Sequence, residues 1–231
     1  MNNNMDKDEL RYILEGFHGQ VVAIIQCIDS VIAMQEIGGE KLKVAPHFFS
    51  AAQDAFIFRY SVELCKLLVE EKGKKPNGDI TIYRICDLVK ANSTYFSNEF
   101  DVIAMCDTLL SDIGNYKSTI ANLKKRRNKT YGHSDKEYYN YSKKAIDDFP
   151  LDFDKIKDIT NLLYNFSMEI LYSIESKLPF RHLIHNSDDI KKLFGMPTHD
   201  ESFYKKLLED WNSKDKETNA IEKERDCNAD T

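Results

Sequence analysis

The longest feature of the sequence is an apolar pattern with helical spacing that runs from about Asp6 to Ile37. Apolar side chains recur three or four positions apart over many turns, which is typical of one face of an α-helix. They are Leu10, Ile13, Leu14, Phe17, Val21, Ile25, Ile28 and Ile32. The pair Gly38-Gly39 ends the pattern, since glycine favours helix termination. The sequence therefore predicts one long helix at its start.

Further helical patterns follow along the rest of the chain. They begin near Pro46, Asp79, Phe100 and Asp152. We expect them to end before Gly73, before Asn92, near Tyr131 (with an interruption near Gly114) and at Pro179. The segment Ile80 to Tyr83 alone has strand-like composition, and it is too short and isolated to support a sheet. The chain is therefore predicted to be all-α, an antiparallel helical bundle with extra C-terminal helices.

Three parts of the chain differ in character. Residues 1–179 carry the long helical patterns and are expected to form one bundle domain. Residues 180–211 hold two short helical patterns, which Ser187 and Asp200 would cap, and we expect this C-terminal extension to pack on the bundle. Residues 212–231 are charged and nearly free of apolar side chains, which predicts a disordered tail.

The cysteine pattern and the lack of a recognisable signal peptide or membrane span predict a cytoplasmic protein. The N-terminus lacks the basic and apolar regions of a signal peptide, and no uninterrupted apolar run approaches the roughly 18 residues of a membrane span. The five cysteines are widely spaced, and four of them lie in apolar helical patterns, which predicts buried thiols in a reducing compartment: Cys27, Cys65, Cys86, Cys106 and Cys227. The net charge of −6 means that any affinity for nucleic acid must come from a local basic patch.

Such a patch stands at the end of the helical pattern that begins near Phe100. The apolar stripe of this pattern passes through Ile113, Ile120 and Leu123, and its next positions are Arg127 and Tyr131. A permanent charge on an apolar stripe must be paired, solvated in a cleft or bound to an anion. Arg127 is therefore a candidate binding residue.

The segment from Arg127 to His133 combines three side chains that suit RNA chemistry. Arg127 can hold a phosphate through two parallel hydrogen bonds, His133 can exchange a proton near neutral pH, and Asn128 can orient either of them. RNA carries its own nucleophile, the 2′-hydroxyl, so a proton-exchanging group and a phosphate clamp suffice without a metal. The neighbouring basic and aromatic side chains would extend the grip on RNA: Lys124, Lys125, Arg126, Lys129 and Tyr131.

Simpler explanations exist for these neighbours. Basic residues near a helix C-terminus stabilise the helix dipole, which accounts equally well for Lys124, Lys125 and Arg126. Tyr131 fits a packing role on the stripe. On an ideal helix Arg127 and His133 would point about 120° apart, so they converge only if the helix breaks, with Gly132 the natural place, or if a second chain completes the site.

The pattern R-N-x-x-x-x-H at the end of a bundle helix resembles the signature of the HEPN superfamily. The continuation through Ser134 and Asp135 resembles the AbiU-type branch, as does, more loosely, the region from His47 to Leu68. This resemblance covers about Asp6 to Leu178. It implies an all-α domain that cleaves RNA without a metal, works as a homodimer and takes part in abortive infection or toxin–antitoxin systems. Asp135 stands where another branch has a tyrosine that receives nucleotides, which argues against that form of regulation.

By this resemblance Arg127, Asn128 and His133 are the catalytic residues. We expect a metal-independent endoribonuclease, a toxin or phage-defence effector with RNA as substrate and an antitoxin protein as a further partner. No cofactor motif is found, and the pair His182 and His185 lacks a third metal ligand fixed by spacing. The alternative is a catalytically inactive helical module that binds RNA or protein within a toxin–antitoxin system, which the acidic balance favours mildly.

Overall fold

The computed structural model of the chain describes residues 5–68, 80–132, 144, 147–175 and 186–196. Within these ranges the secondary structure is helical, without a β-strand, as predicted. The α-helices are α1 (Lys7–Ile37), α2 (Gly39–Leu42), α3 (Pro46–Leu68), α4 (Ile82–Ala91), α5 (Val102–Gly114), α6 (Lys117–Arg126), α7 (Phe153–Glu175) and α8 (Asn186–Leu193). A 3-10 turn spans Ser93–Tyr95, and a π-helix, Arg127–Gly132, continues α6.

Helix α1 is the central element of the bundle and contacts α3, α7 and α8. It begins where the Asp6 carboxylate accepts a hydrogen bond from the Glu9 N–H at 2.7 Å, a standard N-terminal cap. It ends at Gly38, whose φ of 80° lies in the left-handed region that glycine adopts without a steric penalty. The predicted long helix and its glycine stop are confirmed.

Helices α3 and α4 also agree with the sequence patterns. Helix α3 begins at Pro46 as predicted. Helix α4 begins at Ile82, where the Thr81 hydroxyl accepts a hydrogen bond from the Arg84 N–H at 3.3 Å, so the strand-like segment forms the start of a helix. Its apolar residues at helical spacing are all buried, namely Ile82, Ile85, Cys86 and Val89. The sequence patterns gave no indication of the short helix α2.

Helix α7 completes the core against α1 and α5. The Asp152 carboxylate caps it by accepting a hydrogen bond from the Lys155 N–H at 3.2 Å, as the predicted start near Asp152 requires. The rings of Phe17 and Phe166 meet edge to face, with centroids 6.5 Å apart. The apolar residues that recur at helical spacing along α7 are all buried, at Ile156, Ile159, Leu163, Phe166, Ile170 and Ile174.

Helix α8 lies against α1. Lys191 forms an ion pair with Glu36 at 2.8 Å. The ring centroids of Phe194 and Phe49 lie 5.6 Å apart. The helix begins at Asn186, so Ser187 is buried in its first turn and does not precede it. The domain division at residues 179 and 211 stays a prediction, since the helix expected after Asp200 and the tail lie outside the described residues.

Helix α1 is long and apolar enough, by length and composition alone, to cross a membrane. This differs from the sequence expectation, which considered only uninterrupted apolar runs. Inside the bundle, 61% of the most apolar 18-residue window of α1 is buried. A buried core helix meets the same criteria as a membrane span, because both must keep an apolar surface away from water.

Four of the five cysteines lie in the described residues and are buried free thiols, as their apolar surroundings predicted. These are Cys27, Cys65, Cys86 and Cys106. Cys227 lies outside the described residues. Burial is the main cause that raises the pKa of the Cys27 and Cys65 thiols, which keeps both protonated near neutral pH.

Gly38 and Gly39 provide a matched test of the turn after α1. Gly38→Ala should reduce the free energy of unfolding by about 1–2 kcal/mol, since an alanine at positive φ is strained. Gly39 has helical backbone and open space around its Cα, so Gly39→Ala should change stability by no more than about 0.5 kcal/mol or increase it. Chemical denaturation of both variants checks this, and equal effects would contradict it.

Candidate functional site

The helix that carries the candidate site is interrupted where the sequence predicted. Helix α5 ends at Gly114, and α6 begins after a two-residue turn. The Asn122 side-chain N–H donates to the Pro150 carbonyl at 3.1 Å, which ties α6 to the segment before α7. Leu123 is fully buried, and α6 packs on α3. These contacts fix the position of the next turn.

The candidate motif lies on a π-helix. The six residues from Arg127 to Gly132 adopt this form directly after α6 and pack against α3. The Arg127 N–H bonds the carbonyls of both Leu123 and Lys124 at the junction. In a π-helix each N–H bonds the carbonyl five residues earlier, and such turns are rare and frequent at functional sites.

Arg127 and Asn128 form a side-chain pair. The Asn128 amide oxygen Oδ1 accepts two hydrogen bonds from Arg127, one from Nε at 3.0 Å and one from Nη2 at 2.8 Å. The pair holds the guanidinium plane in one orientation. A guanidinium has five N–H donors, so three remain for another acceptor.

The charge of Arg127 is not neutralised by this pair, because an asparagine amide carries no net charge. Among the described residues no carboxylate lies within ion-pair distance of Arg127. Cys65 on α3 is near enough for the charges of Arg127 and Lys124 to act on its thiol, but burial dominates and raises the pKa of Cys65 to about 11. Cys65 is therefore protonated at neutral pH and offers Arg127 no thiolate partner.

The predicted basic run divides around the helix. Successive residues of an α-helix point about 100° apart, so Lys124, Lys125 and Arg126 cannot share one face. Lys125 is exposed, with its Nζ 5.7 Å from the centroid of the Phe149 ring. Lys124 is half-buried and faces an open cleft. Lys129 on the π-helix is exposed.

The other predicted site residues fall wholly or partly outside the described residues. His133 lies outside the described residues, as do Ser134, Asp135, His182 and His185. The backbone of residues 130–132 is described, but their side chains are not, and this includes the ring of Tyr131. The convergence of Arg127 and His133 at a break near Gly132 therefore stays a prediction. In the described parts of the chain, no three His, Cys, Asp or Glu side chains meet in a group that could hold a metal.

Sequence reasoning missed a cleft that opens beside this turn. It has a volume of about 620 Å³ and lies among α3, α4, α5 and α6. Lys117 and Lys124 line it, and their spacing of seven residues on one helix face is the only signal that could have pointed to it.

The comparisons with known proteins identify the class. The family model HEPN_AbiU2, described as AbiU2, matches residues 7–194. The chain therefore belongs to the HEPN_AbiU2 family, of the abortive-infection or toxin type. The resemblance inferred from the motif is confirmed, and the match extends through α8. No curated protein and no solved structure gave a match.

Proposed function

We propose that the protein is a metal-independent endoribonuclease that acts in the cytoplasm as a toxin or phage-defence effector. The observation that supports this most is the Arg127–Asn128 pair on a π-helix. It presents an oriented guanidinium whose charge no described carboxylate neutralises. An RNA phosphate is the anion that would complete it, through charge-assisted hydrogen bonds to the free N–H groups.

The proposed reaction is an internal transfer within RNA. The 2′-hydroxyl oxygen attacks the adjacent phosphorus and loses its proton to a base, and the bond from phosphorus to the 5′-oxygen breaks. The departing 5′-oxygen takes up a proton. The products are a 2′,3′-cyclic phosphate and a 5′-hydroxyl. No oxidation state changes, so the reaction needs no redox cofactor. His133 would give or take the proton, and Arg127 would stabilise the negative charge on the phosphate.

Asn128 would act in this reaction as a positioning residue. Its oxygen fixes the guanidinium through two hydrogen bonds while leaving the charge intact. Lys124, Lys125, Arg126 and Lys129 would attract the RNA backbone from several sides of the helix end, and Tyr131 would stack on a base. The basic residues form a local patch on an acidic protein, which suits a short single-stranded target.

The alternative function is a HEPN module that binds RNA or protein without cleaving it. The net charge of −6 favours this reading, because it opposes binding to a polyanion outside the local patch. In both cases an antitoxin protein is a proposed partner, while no membrane partner and no cofactor are proposed. Cleavage assays separate the two functions.

Purified protein should cleave total cellular RNA in the presence of a chelator. His133→Ala should lower the rate about 10²-fold or more, as loss of acid–base catalysis does. His47→Ala is the matched control, since His47 is exposed on α3, and it should be fully active. Product ends can be identified by their reaction with phosphatase and kinase. Activity that a chelator abolishes and magnesium restores would refute the mechanism.

Asn128→Asp tests whether cleavage requires the positive charge of Arg127 to remain without a neutralising carboxylate. The carboxylate has the shape of the amide and would keep both hydrogen bonds, but it would neutralise Arg127 and repel phosphate. Cleavage should fall about 10- to 100-fold, in line with the strength of charged hydrogen bonds, while the melting temperature stays equal or rises. Asn161→Asp adds the same charge at an exposed position of α7 and should leave the rate unchanged. Equal rates for the two variants would contradict this role.

A homodimer with facing motifs is proposed to complete the site. An ideal helix would point Arg127 and His133 about 120° apart, so Arg127 of one chain and His133 of its partner would act together across a two-fold axis. Repulsion between the basic runs opposes this arrangement, and apolar contacts elsewhere must outweigh it.

Mixing two inactive variants tests the shared site. When Arg127→Ala and His133→Ala chains exchange freely, half of the dimers are mixed and each has one intact site, so about a quarter of the wild-type activity should return. Each variant mixed with itself is the control and should stay inactive. A strictly monomeric, fully active enzyme in light scattering would refute the shared site.

A further inference from the structure

The cleft beside α6 has an apolar floor and a cationic rim. Tyr83, Leu110 and Ile120 supply apolar surface, and Lys117 and Lys124 stand on the α6 side. Lys117 is exposed and Lys124 half-buried, and the described residues contain no ion-pair partner for either lysine. No carboxylate is among the described residues that line the cleft. The lining therefore suits an anion that also has a flat apolar part.

The size of the cleft narrows the choice of ligand. A volume of about 620 Å³ lies within the usual range of small-molecule sites, roughly 300–1,000 Å³. A nucleoside phosphate joins an apolar ring to an anion at this scale. Its base can stack on an aromatic side chain such as Tyr83, and its phosphate can pair with a lysine. Ser111 and Asn115, both exposed at the cleft, offer hydrogen bonds to the edge of a base.

The lining of the cleft ends at Lys124, about one helical turn before the Arg127–Asn128 pair. Lys117, Ile120, Ala121 and Lys124 recur on one face of α6. Arg127 follows Lys124 by three residues, about 4.5 Å further along the helix axis. A strand whose phosphate is held at Arg127 can therefore place a neighbouring nucleotide in the cleft without leaving the helix surface.

We propose that this cleft binds one nucleotide of the RNA strand held at Arg127, outside the scissile bond. Lys124 would contact the phosphate between the two positions, and Lys117 the phosphate beyond the base. This subsite rests on the proposed function, in which RNA is the substrate. It would help to determine where along the strand the protein binds. A free nucleoside phosphate has the same chemistry and is the other source that the experiment distinguishes.

Filling the cleft with a large side chain is the direct test. Ala121 is exposed and lines the cleft, so Ala121→Trp should fold and occupy it. Ser118→Trp is the matched control, because Ser118 is exposed on the same helix outside the lining. Ser111→Trp fills the cleft from α5 and serves as the second variant. The probe is a labelled 2′-O-methyl RNA hexanucleotide of mixed sequence, which cannot be cleaved because its nucleophile is blocked.

Both cleft variants should bind the hexanucleotide about tenfold more weakly than wild type, the usual size of the loss of one stacked base, while Ser118→Trp binds normally. Wild-type affinity in both cleft variants, with native circular dichroism, would overturn the subsite. So would a wild-type protein that binds neither the hexanucleotide nor nucleoside 5′-monophosphates.

Titration with nucleoside 5′-monophosphates separates the two sources of ligand. Weak or absent binding of the monophosphates, beside firm binding of the hexanucleotide, supports the strand. Firm monophosphate binding that Ala121→Trp abolishes, without hexanucleotide binding, overturns the strand as the source. Cleavage by the wild type is scored separately: cleft-dependent binding without cleavage refutes the nuclease alone, and cleavage with unaltered binding in the cleft variants refutes the subsite alone.

Discussion

The burial of α1 is the interaction on which the rest of the structure depends. Leu10, Leu14, Phe17 and Val21 are almost fully removed from water, and at about 25 cal/mol per Å² such apolar burial is the main force that stabilises a bundle. Helices α3, α7 and α8 each cover part of this surface. Helix α3 in turn packs against α6 and the π-helix. The core therefore fixes the position of the candidate site indirectly, through α3.

The helices were predictable because the side chains that a helix buries recur in the sequence at regular helical spacing. The inward residues of α4 and α7 are those that the spacing selected, and the caps at Asp6 and Asp152 match the predicted starts. Helix α2 was missed because four residues are too few to show a period. Ser187 was read as a cap because serine favours that position, whereas here it is buried inside the first turn of α8.

The candidate site was proposed from its residue types, which do not predict its local backbone form. The sequence marked Arg127 as a charge on an apolar stripe, and the family match covers the segment that contains it. Neither the change from α- to π-hydrogen bonding nor the pairing of Arg127 with Asn128 leaves a pattern in the residue types. The cleft could not be predicted for another reason: Leu68 of α3 and Tyr83 of α4 complete its lining, and their approach to α5 and α6 is a tertiary contact that a local pattern does not record.

The Arg127–Asn128 pair is formed by neighbours in the chain, and this has a consequence for affinity. A free arginine side chain carries roughly 2 kcal/mol of rotamer entropy, part of which is lost whenever it grips a ligand. Here the two hydrogen bonds restrict the guanidinium as soon as this turn of helix forms. The ordering cost therefore falls on folding and not on binding, and an anion that arrives meets a preorganised donor group.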